Sequence, residues 1–249
     1  MLVENFAGSY TFIRGIGPFS AAATARSGYA IVHATFKPLV PLATGYDRIE
    51  KYLGKFQRPI NALCGIQLRI PRPLSREGFD EFNRPYIEKL RSWGLEVEGA
   101  NPVTRTNVAL DGNPIAEPMI ASFFYTVPST GAAPTWVVSG VPEIASRDGA
   151  IRIVAPNNVT PDGLRQKTQC ILEVIAHHLA ELHASWAQAT TINLYTIHDL
   201  HPTITSLVVP AIGAASGVGI TWHHARPPVS GLEIEIDAWA VEREEIISA

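Results

Sequence analysis

The chain has 249 residues, of which 46% are hydrophobic and 17% charged, with a formal net charge of −3. That length admits one large domain or two of about 100–150 residues, each able to bury a core. The slight acidity and the absence of a Lys/Arg cluster exclude the basic stripe on which nucleic-acid binding rests.

From the N-terminus, Met1-Leu2-Val3-Glu4-Asn5 offers no basic region ahead of an apolar core, so no secretory signal is expected. Tyr29–Phe36 reads as a strand. Asp47–Phe56 reads as a helix with Ile49, Tyr52, Leu53 and Phe56 on one face. Ile60–Ile70 is a strand interrupted by Gly65, and Arg76–Trp93 is a second helix striped by Phe79, Phe82, Tyr86 and Leu90. Two strands follow, Thr104–Leu110 and Ile115–Val127, with Asp111-Gly112-Asn113 between them predicting a hairpin.

Pro128-Ser129-Thr130-Gly131-Ala132-Ala133-Pro134 is the expected linker, dividing the chain into residues 1–128 and 134–249. Beyond it, Thr135–Gly140 is a strand and Asp162–His183 a long helix with Leu164, Ile171, Ile175, Leu179 and Leu182 at helical spacing. Thr190–Ile197 is a strand, and Val218–Ala225 is expected to pair with Leu232–Val241 around Arg226-Pro227-Pro228. Pro202–Gly217 holds too many breakers for a regular helix. Pro202–Trp222, although uncharged, is broken too often for a membrane span. The fold class predicted is α+β, two tandem units of a mixed sheet with helices on one face. Cys64 and Cys170 sit in apolar patterns and read as buried free thiols in a reducing cytoplasm.

Several short segments resemble the RidA/YjgF family of enamine and imine deaminases. Ile16-Gly17-Pro18-Phe19 is similar to the family's Ile-Gly-Pro-Tyr, and Phe79 to Tyr86 follows its Phe, Asn, Tyr pattern. Pro102–Val108 resembles the segment that carries the substrate-binding arginine. Trp136–Pro142 resembles the Ser-Gly-x-Pro strand end, and Glu233–Ala238 the Glu-Ile-Glu-Ala closing strand. The tandem form most resembles 2-aminomuconate and 2-amino-5-chloromuconate deaminases, while chorismatases share a similar arrangement. The resemblance implies a chorismate-mutase-like fold, no cofactor, a small carboxylate substrate and a homotrimer with sites in clefts between units. A chorismatase-like hydrolase or lyase, or a binding module without catalysis, is the alternative function.

The resemblance places Arg105 and Glu235 at the catalytic positions, with Phe19, Asn83, Asn107 and His223 lining the substrate. A guanidinium can grip a carboxylate through two parallel hydrogen bonds. Glu235 alternates with Ile234 and Ile236, so Glu233 and Asp237 are expected on its face, where like charge favours holding a proton. The first half has lost its acid and the second its arginine, whose position Gly219 occupies, so each half holds half of a site. The eight histidines lack metal-ligand spacing, and no metal site is predicted.

Overall fold

A computed structural model describes residues 2–15, 17–112, 115–147 and 150–248. The chain order is β1 (Leu2–Asn5), β2 (Tyr10–Ile13), β3 (Ala22–Ala25), β4 (Tyr29–Pro41), α1 (Leu42–Lys55), β5 (Leu63–Ile70), α2 (Arg76–Ser92), β6 (Thr104–Leu110), β7 (Met119–Pro128) and β8 (Trp136–Pro142). There follow β9 (Ile144–Arg147), β10 (Ala150–Ile153), α3 (Pro161–Glu181), β11 (Thr191–Tyr195), β12 (Thr221–His223), β13 (Ala225–Arg226), β14 (Glu235–Ala240) and β15 (Arg243–Ser248). Pro202–Gly217 forms a succession of short helical turns of different pitch, as its prolines and glycines require.

Both long amphipathic helices of the first and second halves start on a side-chain cap. Ser75 Oγ accepts from the Gly78 N–H at α2, and Thr160 Oγ1 from the Gly163 N–H at α3, satisfying donors that the first turn leaves free. The apolar stripes then pack on sheets. Ile49, Leu53, Tyr86 and Leu90 of α1 and α2 meet Val32, Ile66, Leu68 and Phe123. Ile171, Ile175 and Leu179 of α3 meet Val138, Ile192, Leu194 and Ile236. The alternate residues Ile31, Phe124, Val137 and Trp239 form a third core shared by both sheets. Because strand side chains alternate, that parity puts the two sheets face to face with the helices outside. The fold is therefore α+β, two units each with helices on one sheet face.

Sheet membership crosses the expected division of the chain. One six-stranded sheet runs β13-β6-β5-β7-β4-β15, and one seven-stranded sheet runs β1-β2-β3-β8-β14-β11-β12. The first three strands thus join the sheet of the second half, and β13 and β15 cross to the sheet of the first. β15 is held there by Glu245, which accepts from the Tyr52 and Tyr125 hydroxyls at 2.6 and 2.9 Å, and by the contact of Glu244 with His33.

Two expected hairpins do not form. β5 lies between β6 and β7, parallel to one and antiparallel to the other, so Asp111 and Gly112 start a crossover connection and not a two-strand turn. Asn113 of that motif lies outside the described residues. β12 pairs in parallel with β11, while β14 lies between β8 and β11, so residues 218–225 and 232–241 are not partners. In both cases burying a strand on both edges outweighs the local turn signal. Cys64 is buried and Cys170 only half-buried, both free thiols. Among the described residues no helix is long and apolar enough to cross a membrane.

The exchange of strands makes each sheet's edge depend on the other half. The chain should therefore unfold in urea in one transition, with far-UV circular dichroism and tryptophan fluorescence coincident. Two separated transitions would show halves that fold independently.

Candidate active site

β6 places residues of alternate parity on opposite faces, and both faces are used. Thr106 points between the sheets. Arg105 and Asn107 point to the helix side, where Arg105 pairs in register with the core residue Ile66. The Arg105 N–H donates to Ser139 Oγ at 3.0 Å, and that hydroxyl donates to the Ser20 carbonyl at 2.6 Å. This tie fixes the open edge of β6 against the second sheet.

The Arg105 side chain is 2% exposed. Its Cζ lies 4.7 Å from the Phe19 ring centroid, 5.4 Å from that of Phe79 and 4.7 Å from that of Tyr86. Phe79, Asn83 and Tyr86 share one face of α2 through their spacing of four and three residues. Neither terminal nitrogen of Arg105 has a hydrogen-bond partner among the described residues. The same holds for the Asn107 amide, Asn83 Oδ1 and the Tyr86 hydroxyl, which Asn101 approaches without satisfying. Burial holds Arg105 below the usual guanidinium range, opposed by Tyr86, Tyr46 and Glu235. Burial pushes the Tyr86 phenol up to about 12, so it keeps its proton. Buried polar groups are ordinarily paired. A guanidinium, an amide and a phenol left open together make a recess whose donors suit an anion.

Glu235 opens β14, opposite Pro142 on one side and Tyr195 on the other. It is 3% exposed, and its carboxyl reaches the β6 edge, where it accepts the main-chain N–H of Asn107. Burial raises it well above the ordinary carboxylate range, with Asp237 adding to the rise and Asn107, Arg105 and Arg69 opposing it. Gly140 makes room for it. A Cβ there would lie 2.0 Å from Glu235 Oε1.

Asp237 has the most hydrogen-bond partners of the buried acids. It is fully buried and accepts from Gln67 Nε2 at 3.0 Å, Thr106 Oγ1 at 2.6 Å, Asn193 Nδ2 at 2.8 Å and the Tyr195 hydroxyl at 3.2 Å. His223 belongs to this group. Its Nε2 lies 3.0 Å from Asn193 Oδ1, and its ring stacks on Tyr195 at 4.6 Å and 15°. Burial, then Arg69, pushes it down to about 4, so it is neutral at pH 7. Arg69, 8% exposed, lies over Tyr195 at 5.7 Å and donates to the Leu68 carbonyl; it makes no ion pair among the described residues.

Of the six residues singled out in the sequence, the structure brings Arg105, Phe19, Asn83 and Asn107 together on the helix side of β6. Glu235 stands at the strand edge within electrostatic reach of Arg105. His223 lies apart from that recess, joined to Glu235 through Tyr195. Ile16 of the Ile-Gly-Pro motif lies outside the described residues. Glu233 does not share the face of Glu235: it precedes β14 and pairs with His198 at 2.7 Å. His201 pairs with Asp199, and no group of three or more metal-ligating side chains occurs among the described residues. Arg69, Gln67, Tyr195, Asn193 and Ser139 were missed. The signal available was polar Gln67 and Arg69 inside the otherwise apolar strand Leu63–Ile70.

Comparison with known proteins follows the same lines. The chain is 34% identical over 249 residues to the 2-amino-5-chloromuconate deaminase of Comamonas testosteroni, covering 96% of each. A crystal structure of a chorismatase superposes over 89% of this chain and 77% of its own with a TM-score of 0.53 at 12% identity, a likeness of fold. A YjgF/YER057c/UK114 protein from Mycobacterium tuberculosis, 18% identical, covers 43% of this chain and 78% of its own with a TM-score of 0.30. Residues 2–245 match the family described as 2-aminomuconate deaminase CnbZ, and the chain belongs to that family.

Proposed function

We propose that the protein is a cofactor-free deaminase that hydrolyses 2-aminomuconate, or a chlorinated analogue, to a 2-oxo acid and ammonia. The observation that carries this reading is the buried guanidinium of Arg105, its terminal nitrogens unpaired among the described residues, beside an acid that burial raises well above the ordinary carboxylate range. A guanidinium enclosed by rings and lacking an anion is costly unless a carboxylate joins it. Arg105 would take the carboxylate next to the reacting carbon, with Phe19 against the conjugated chain and the Asn83 and Asn107 amides hydrogen-bonding it.

Arg105 and Asn107 are two residues apart on one strand, about 7 Å. Glu235, on the Asn107 N–H, therefore stands within reach of a substrate whose carboxylate rests on Arg105. Glu235 gives its proton to the enamine, which becomes the iminium. Water adds to the carbon and returns a proton to the Glu235 carboxylate. The same carboxyl then protonates the nitrogen, the C–N bond breaks with release of ammonia, and the remaining hydroxyl proton comes back as the C=O forms. Each cycle consumes one water and leaves Glu235 protonated. His223, neutral and stacked on Tyr195, is a polar wall on the far side of Glu235.

Three outcomes test the assignment. Arg105→Lys keeps the charge and loses the planar fork, so it should weaken binding of 2-aminomuconate by about 1.5–3 kcal/mol, read as a rise in KM and by calorimetric titration. Unchanged binding would remove Arg105 from the site.

Glu235→Gln should lower kcat by about 10²–10⁴-fold with KM little altered. It should also change how stability follows pH. The folded value of Glu235 lies above its ordinary 4.5, so the folded state holds a proton that the unfolded chain releases first. Its stabilising contribution is present below that ordinary value and is lost as pH rises through the folded one. The Gln variant should melt at higher temperature than the wild type in neutral and alkaline buffer, and the gain should vanish in acid. A constant difference across pH would mean Glu235 does not hold the proton.

The assembly is inferred from the RidA likeness to be a homotrimer. Light scattering at micromolar protein should give three times the chain mass of 27.0 kDa, and a monodisperse monomer would refute it.

A further inference from the structure

The largely apolar core beneath α3 holds a buried ion pair. Lys167 and Glu143 are both 0% exposed, with Nζ 3.1 Å from Oε1. One turn to either side of Lys167 lie Leu164 and Ile171, both in the core. Burying two charges there costs more than an apolar pair of similar volume would, and such pairs are commonly neutral or unfavourable to stability. Breaking one by removing a single partner is strongly destabilising.

What the pair holds is main chain. Lys167 Nζ also donates to the Val154 carbonyl at 3.1 Å. Glu143 Oε1 accepts the Glu233 N–H at 2.7 Å, and Oε2 accepts the Ile234 N–H at 3.1 Å. Those two amides stand immediately before β14, beyond the last residue that pairs with β8, so the sheet offers them no partner. The preceding stretch begins with Pro227 and Pro228, which have no N–H to give. Thr196 Oγ1 donates to the Glu233 carbonyl at 2.8 Å and His198 Nε2 lies 2.7 Å from the Glu233 carboxylate, so Glu143 supplies what these contacts do not, the partner of the two amides. The first residue of β14 is Glu235, seated against Gly140, three residues before Glu143.

We propose that Lys167 and Glu143 are positioning residues for Glu235: the ion pair clamps the Glu233 and Ile234 amides and so sets the depth at which the Glu235 carboxyl stands between Gly140, Asp237 and the Asn107 N–H. The proposal rests on the reading of Glu235 given above, and neither residue touches the recess at Arg105. Lys167 acts through Glu143, and Glu143 through two peptide groups. Loosening the clamp lets the carboxyl swing out from between the sheets toward water, where Arg69 and Arg105 no longer face it and burial no longer holds its proton.

The test uses the full-length chain with glutamate labelled with carbon-13 at its side-chain carboxyl. The Glu235 signal is identified by its loss in Glu235→Gln. In Lys167→Met/Glu143→Gln, which removes both charges and keeps one acceptor oxygen, the Glu235 titration midpoint should fall by about one pH unit or more toward the ordinary carboxylate value. With 2-aminomuconate as substrate, kcat should fall about 10–100-fold while KM changes less than about threefold, as misplacement of a reacting group predicts. Ile175→Ala, a cavity in the same helix, is the control for general loosening: it should lower the melting temperature and leave the titration where it is. A midpoint that stays put in the double variant overturns the proposal, as does an equal shift in Ile175→Ala. A midpoint that moves while kcat does not upholds the clamp and refutes the catalytic reading of Glu235.

Discussion

The carboxylate of Asp237 is the contact through which the two sheets recognise each other. It sits fully buried with donors from both sides, Gln67 and Thr106 from one sheet, Asn193 and Tyr195 from the other. A buried carboxylate is expensive unless its lone pairs are satisfied, and only the correct stacking of the sheets supplies all of these donors at once. The interaction therefore selects a register more than it adds stability. It also places a second acid beside Glu235, and the two cannot both ionise cheaply in so dry a space. Burial raises both above the ordinary carboxylate range; Thr106, Asn193, Arg69 and Tyr195 oppose the rise at Asp237, whereas Asp237 adds to it at Glu235.

The same economy of partners explains the recess at Arg105. Aromatic faces of Phe19, Phe79 and Tyr86 accept a cation through their ring quadrupoles but offer no lone pair to its N–H groups. Elsewhere buried Glu143 is paired with Lys167 and half-buried Glu245 with the Tyr52 and Tyr125 hydroxyls, whereas buried Arg69 has no ion pair among the described residues. Among the described residues, most buried side-chain polar atoms without a partner lie on β6 and on the face of α2 over it, while His33 Nε2 and His178 Nδ1 lie elsewhere.

The exchange of β1–β3 against β13 and β15 joins the two halves of the chain, and Glu235 comes within electrostatic reach of Arg105. Here the connection is made across the sheet interface, from the edge of β6 to the start of β14. The tie from the Arg105 N–H through the Ser139 hydroxyl to the Ser20 carbonyl draws those edges together.

Local pattern determined much of this protein. The helix over 76–92, the strand over 104–110 and the stripe of Ile171, Ile175 and Leu179 follow from periodicity and capping, which depend on near neighbours in the chain. The resemblance of short motifs to the RidA/YjgF family named Arg105, Glu235, Phe19, Asn83 and Asn107 as candidates, and their roles belong to the proposed function. Tertiary structure alone decided which strands pair. Asp111-Gly112 and Arg226-Pro227-Pro228 carry turn chemistry, yet the strands they flank take other partners, since a ladder buried on both edges is worth more than a tight turn. The first three strands and β15 were illegible because short segments gain their order from the sheet that receives them. Whether Arg105 and Glu235 share one site lay in that pairing too, for the distance between residues 130 positions apart is set by packing and by no property of either residue.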